Sequence, residues 1–111
     1  MNYKEMKKNS WYEIIANPIK IATAMYYKDP KSKGLSLTNL QKILKDEMTK
    51  KDISKGLDYL FDNFNIHHSF KIDNNSLTHV YTLDSIFKNT LSNFYELYSA
   101  NYHNNIIKQK I

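Results

Sequence analysis

The residues best suited to chemistry in this chain are lysines. Lys50, Lys51 and Lys55, with Ser54 among them, fall early in TKKDISKGLDYLFDNF, a segment with helical periodicity. A lysine ammonium is a compact positive charge with three donors, which suits phosphate oxygens. Lys51 and Lys55 are four apart, so on a helix they share a face one turn apart. Ile53, Leu57, Leu60, Phe61 and Phe64 fall within roughly a 100° arc on the other side, which predicts a stripe turned into a core. The lysine-bearing back then faces outward. Lys50 and Ser54 stand near the helix start, where unpaired N–H groups also favour anions. Asp58 borders this surface and Asp62 lies further on. Both repel phosphate, so anion contact is expected mainly along the first two turns. A second group, Lys71 with Asn74 and Asn75, falls on a predicted hairpin. The same lysine spacing also fits an ordinary solvated helix face.

Other chemistry finds less support. The chain has no cysteine, which excludes disulfides, thiolate zinc sites and cysteine nucleophiles. Its four histidines are His67, His68, His79 and His103. The first two are adjacent on a predicted strand and so point to opposite faces. No His-x₃-His pair and no acidic partner stands at ligand spacing, so no metal and no cofactor is expected. There is no glycine-rich phosphate loop, nucleophile elbow or paired-carboxylate arrangement. The expectation is that the chain is not an enzyme.

These residues need elements to hold them. Residues 3–16 read as a first helix anchored by Trp11, Ile14 and Ile15. Asn17-Pro18 opens a second, with Asn17 as its N-cap and Ile19, Ala22, Met25 and Tyr26 at helical spacing. Asp29-Pro30 and Gly34 end it. Ser36 caps a short helix over about 36–45, carrying Leu37, Leu40 and Leu44. Asp46-Glu47-Met48 is a tight connection, and Thr49 caps the lysine-bearing helix, with Asp52 close to a capping box. IHHSFKI and LTHVYTL, separated by Asp73-Asn74-Asn75-Ser76, form a β-hairpin in which Ile72 faces Leu77, Phe70 faces His79 and His68 faces Tyr81. Asp84-Ser85 starts a last helix running to about Lys108, with Phe87, Leu91, Phe94, Tyr98 and Tyr102 as its central stripe. The fold class is mainly α with a small β-hairpin, an α+β chain.

Composition sets the bounds. At 111 residues with 41% hydrophobic and 24% charged, the chain fits one domain spanning 1–111. All 16 basic residues are lysine against 11 acids, giving a formal charge of +5. Residues 1–35 hold +4 of it, 36–82 are neutral and 83–111 hold +1. A basic balance points to an anionic partner, most often nucleic acid. The abundance of Asn, Lys, Ile and Tyr also fits the bias of an AT-rich genome. Lys20, Lys28, Lys31 and Lys33 could add sequence-independent phosphate contacts. No apolar run is long enough to span a membrane, and MNYKEMKKNSWYE lacks the apolar block of a secretory signal, so the expectation is a cytoplasmic protein.

Four stretches, taken in order, resemble the winged-helix transcription regulators, most nearly the arsenic-repressor-like and related small dimeric families. Ile15–Ile21 is similar to the family's opening, where an Asn- or Asp-Pro step precedes a basic residue and aliphatics. Leu35–Leu40 resembles the entry to its helix-turn-helix, Thr49–Leu60 its recognition helix, and Asn65–Leu83 its wing. Three features depart from the pattern. Phe64-Asn65 replaces the small residue, usually glycine, before the first wing strand, with Asn65 a candidate for the left-handed conformation. The helix-turn-helix connection lacks glycine. Lysine stands where arginine is common, and lysine has no planar fork for guanine.

The resemblance implies a winged helix-turn-helix with N- and C-terminal dimerisation helices. Its parts would be helix 1–16, a three-helix core 17–65 containing the helix-turn-helix 36–64, wing 66–83 and dimerisation helix 84–108. It further implies that the recognition helix enters the major groove of double-stranded DNA. The DNA-contacting residues would be Lys50, Lys51, Ser54, Lys55, Asp58, Lys71, Asn74 and Asn75. The wide apolar face of the last helix points to a homodimer through Trp11, Phe87, Leu91, Phe94 and Tyr98. The implied function is a sequence-specific transcriptional regulator, a repressor by promoter occlusion. Two alternatives stand beside it. One is a winged-helix protein–protein interaction module in a nucleoprotein complex, supported by the neutral middle and Tyr59. The other is a small sensor with an effector at the dimer interface.

Overall fold

The computed structural model describes residues 2–98. Helices α1 (Tyr3–Met6), α2 (Ser10–Ile14), α3 (Asn17–Lys28), α4 (Leu37–Leu44) and α5 (Lys50–Asp62) come first. Strands β1 (Ile66–Asp73) and β2 (Ser76–Leu83) follow, and α6 (Ser85–Tyr98) closes the described part. The chain is thus a mixed α+β fold. The expected continuation of the last helix to Lys108, with Tyr102 and His103, lies outside the described residues.

The first expected helix is two helices. Asn9 donates its side-chain amide to the Met6 carbonyl at 3.0 Å, satisfying a carbonyl that a continuing helix would have used. The break re-phases α2. Tyr3, Met6 and Tyr12 become buried, whereas Ile14, expected as an anchor, is 84% exposed. Helix α3 starts one residue earlier than expected: Ala16 is the N-cap and Asn17 is already helical. Pro18 is tolerated in the first turn because its missing N–H would have had no partner there.

Two capping boxes fix the next pair of helices. The Asn39 N–H donates to Ser36 Oγ at 3.1 Å, and the Ser36 N–H donates to Asn39 Oδ1 at 3.0 Å. Thr49 and Asp52 repeat the arrangement at the start of α5. The core gathers Ile21, Met25, Leu40, Leu44, Ile53 and Leu60, each at most 1% exposed. Helix α5 passes close to α3 at Gly56, where an added Cβ would lie 2.3 Å from the Ile21 Cδ1. A mid-helix glycine ordinarily costs about 1 kcal/mol against alanine. Here it allows two backbones to approach.

The α5 stripe is narrower than the sequence reading. Ile53, Leu57 and Leu60 are buried, but Phe61 is 52% and Phe64 82% exposed. At 100° per residue, Phe61 sits about 90° round from the centre of the buried arc. Phe64 lies past the helix end. The Asn65 N–H donates to the Leu60 carbonyl at 2.8 Å and the Phe64 N–H to the Phe61 carbonyl at 3.0 Å, a Schellman closure. The left-handed residue in it is Phe64 at φ 59°, not Asn65. A phenylalanine there costs about 1 kcal/mol or more against glycine, and its ring recovers little by packing. Phe64→Gly is therefore expected to raise stability by about 1 kcal/mol, read as a later denaturant midpoint at unchanged slope. A lower midpoint would show that the ring is held after all.

The hairpin has the expected register, with Ile72 opposite Leu77, Phe70 opposite His79 and His68 opposite Tyr81. Its two-residue turn, Asn74 at φ 49° and Asn75 at φ 64°, is of the I′ kind that matches strand twist. The outer edge of β2 is pinned where Leu35 and Tyr81 exchange N–H···O bonds of 3.0 and 2.8 Å. The Asp29 carboxylate shapes the preceding loop by accepting from the Lys33 and Gly34 N–H groups, each at 2.8 Å.

Asp84 caps α6, accepting from the Ile86 and Phe87 N–H groups at 3.0 and 3.1 Å. The Phe87 bond first, then His67 at 2.8 Å, and last the Ile86 bond hold its carboxyl below the ordinary carboxylate range. Leu91 and Tyr95 of α6 reach the core. Thr23 donates its hydroxyl to the Ile19 carbonyl at 2.7 Å, so in the 2.6 Å contact with Tyr95 the tyrosine is the donor. No described helix is long and apolar enough to cross a membrane.

Candidate nucleic-acid interface

Helix α5 presents Lys50, Lys51, Ser54 and Lys55 exposed on its first two turns, with Ile53, Gly56 and Leu57 buried behind them. Asp58 is exposed one turn beyond Ser54, in the middle of the same face. Lys55, with Asn17, Pro18, Asp52 and Tyr59, lines a groove of about 290 Å³ between the start of α3 and α5. Asp58, with Leu57, Phe61, His68 and Tyr81, lines a smaller cleft of about 160 Å³ between α5 and the hairpin. Concave surface thus flanks α5 on both sides, with Lys55 in one groove and Asp58 in the other.

Lys71 and the Asn74-Asn75 turn are exposed on the hairpin. They do not share a face with most of its bulk. Lys71 alternates with Phe70 and Ile72, which lie on the opposite face with Leu77 and His79. Phe70, Ile72 and Leu77 are 55%, 78% and 62% exposed, an apolar ribbon beyond the reach of the core. On that face the His68 and His79 rings stack diagonally across the strands, with Nε2 and Nδ1 2.6 Å apart. His67 faces the other way and pairs with Asp84. Among the described residues no three His, Asp or Glu side chains gather as metal ligands would.

The residues expected at a dimer interface pack largely within their own chain. Leu91 is 4% exposed in the core, and Trp11, Phe87 and Phe94 are partly buried against it. Trp11 meets Phe94 edge-on at 5.0 Å and stacks on Tyr95 at 6.1 Å. The side chain of Tyr98 lies outside the described residues. Of the large apolar side chains described on α6, Ile86 at 76% and Leu97 at 48% are exposed.

One positioning residue has no local signature in the sequence. Glu47, read there as part of a plain connection, accepts from the Tyr3 hydroxyl at 3.2 Å and from the Tyr12 hydroxyl, and pairs with Lys7 at 3.8 Å. It clasps the 45–49 turn, and so the start of α5, to the N-terminal helices. Its partners are 44 and 35 residues away, so only the folded chain brings them together.

Burial, with Glu47 adding to it, pushes the Tyr3 hydroxyl up to about 12 and raises that of Tyr12 further. Burial likewise lifts Tyr27 to about 12. Unfolded tyrosines ionise near pH 10. Raised folded values mean that the stability from these neutral phenols is complete below about pH 10 and is lost as pH climbs toward 12 and beyond. Denaturant midpoints measured across pH 9–12 should fall in that window, and Tyr3→Phe should flatten the fall.

Comparison of the chain with protein-family models, with curated proteins and with solved structures finds no match.

Proposed function

We propose that this chain is a winged-helix protein that binds double-stranded DNA sequence-specifically and regulates transcription as a homodimer, most simply by occluding a promoter. The observation that carries the reading is α5. Its apolar side is buried while Lys50, Lys51, Ser54 and Lys55 stand exposed on its first two turns. The capping box takes the Thr49 and Asp52 N–H groups, which leaves those of Lys50 and Lys51, beside the ammonium groups, to meet phosphate. The order α3, α4, α5, β1, β2 also supports the reading, since a wing follows the recognition helix in such proteins. Asp58 would mark where groove contact ends, or would accept from a cytosine amino group. Lys71, Asn74 and Asn75 would touch the backbone beside it. Exposed Ile86 and Leu97, and the remaining surface of Trp11, Phe87 and Phe94, support pairing through α6.

Fluorescence anisotropy with a random-sequence duplex at low salt tests the reading, and selection from random duplexes then gives the operator. Weak binding that steepens for the selected sequence is the expected result. Sedimentation should show a species of twice the 13.2 kDa chain. A second reading, a protein-interaction module, draws on the exposed Phe70, Ile72, Leu77 and Tyr59. An exposed apolar ribbon of this kind commonly marks a protein contact, and absence of duplex binding at low salt would favour it.

A further inference from the structure

Away from the exposed face of α5, three lysines converge on one cleft. Lys4 and Lys7 from the N-terminus and Lys28 from the last turn of α3, with Tyr3 and Ile43, line a space of about 240 Å³. The Tyr3 ring carries two of the cations: Lys7 Nζ stands 4.6 Å from its centroid and Lys28 Nζ 5.7 Å. The ring is fixed. Tyr3 is 7% exposed, stacks on Tyr27 at 6.1 Å and donates its hydroxyl to Glu47. The cleft therefore has an aromatic and aliphatic wall and a cationic rim.

The charges are not balanced. Lys7 reaches Glu47 at 3.8 Å, and that carboxylate already accepts from two tyrosine hydroxyls. Among the described residues neither Lys4 nor Lys28 has a carboxylate partner. Like charges held around a concave surface raise the local concentration of anions. The volume corresponds to about eight water-sized groups, which suits a small molecule. The cleft lies at the Lys28 end of α3, whereas Asn17 and Pro18, beside Lys55, lie about 15 Å along the helix. It is separate from the surface proposed for DNA and does not depend on that reading.

We infer that this cleft binds a small organic anion, a phosphate monoester or carboxylate on a flat apolar body. The head group sits among Lys4, Lys7 and Lys28, and the body lies against Ile43 and the small exposed edge of Tyr3. Because Lys7 is shared with Glu47, the bound anion competes for it, and occupancy is felt at the 45–49 turn.

Phenyl phosphate and benzoate, titrated separately into the full chain and followed by amide NMR, test this, with phenol and inorganic phosphate as controls. Saturable shifts at residues 3–7, 28, 43 and 47 are expected, about tenfold tighter for a whole anion than for phenol or phosphate. The tighter of the two anions identifies the head group. The double variant Lys4→Gln/Lys28→Gln should weaken binding by about tenfold or more with the other amides unmoved. No saturation by about 10 mM, equal affinity for inorganic phosphate, shifts centred on the α5 lysines, or unchanged affinity in the variant would each overturn the inference.

Discussion

Replacing Lys51 and Lys55 together by alanine is expected to weaken binding to duplex DNA by about fifty-fold at 0.1 M salt. Each phosphate neutralised contributes about 0.9 to the slope of log affinity against log salt, so two contacts change the slope by about 2. At 0.1 M that difference is itself the loss in affinity. The slope and the affinity must therefore move together, which separates phosphate contact from any indirect effect. Both side chains are exposed, so the thermal midpoint should stay where it is. Lys50→Ala alone should take about half the slope change. An affinity unchanged at both low and moderate salt would remove these lysines from any DNA surface.

Gly34→Ala is expected to destabilise the fold by about 3 kcal/mol, from two independent penalties. Gly34 has φ 106°, where a side chain is strained at about 1–3 kcal/mol. A Cβ built there also lies 2.7 Å from Val80 Cγ2 and 2.9 Å from Val80 Cβ. The second of these atoms is bonded directly to the strand backbone and cannot rotate away, and Val80 is 4% exposed. Overpacking of that kind costs about 1–3 kcal/mol. The next residue, Leu35, makes the two bonds that pin β2, so relief by moving the loop would break them. Calorimetry should find the melting temperature lowered on the order of 10–20 °C. A shift of a degree or two would mean that the loop accommodates the methyl freely.

Local chemistry was legible in the sequence and long-range chemistry was not. Ser36 and Thr49 announce their helices because a cap is written within four residues. Ile72 meets Leu77 because a two-residue Asn-Asn turn leaves one register. Periodicity located the buried side of α5 at Ile53, Leu57 and Leu60, but extended it too far, to Phe61 and Phe64. Apolarity says what a residue prefers, and the helix end at Asn63 decides where the last ring goes. The break at Asn9 was invisible for a similar reason: a side-chain bond to Met6 competes with a helix that composition alone favours. Gly56 and Gly34 show their purpose only through Ile21 and Val80, which are far away in the chain. In the candidate interface, the sequence located the exposed lysines of α5 and the exposed turn of the hairpin. It did not anticipate the apolar ribbon of Phe70, Ile72 and Leu77, or Glu47 as the clasp behind the turn. Aromatic residues expected to face a second copy proved largely committed to their own core, because Tyr95 and Leu91 draw Trp11 and Phe94 inward.

Lysine footprinting asks whether the lysine-bearing back of α5 lies against phosphate. The protein is acylated with and without a saturating duplex, and each lysine is quantified by mass spectrometry. Lys50, Lys51 and Lys55 should lose reactivity on adding duplex, while Lys4, in the cleft that no residue of α5 lines, keeps its own. Lysines of α5 that react equally with duplex present, whether because nothing binds or because it binds elsewhere, would rule that contact out.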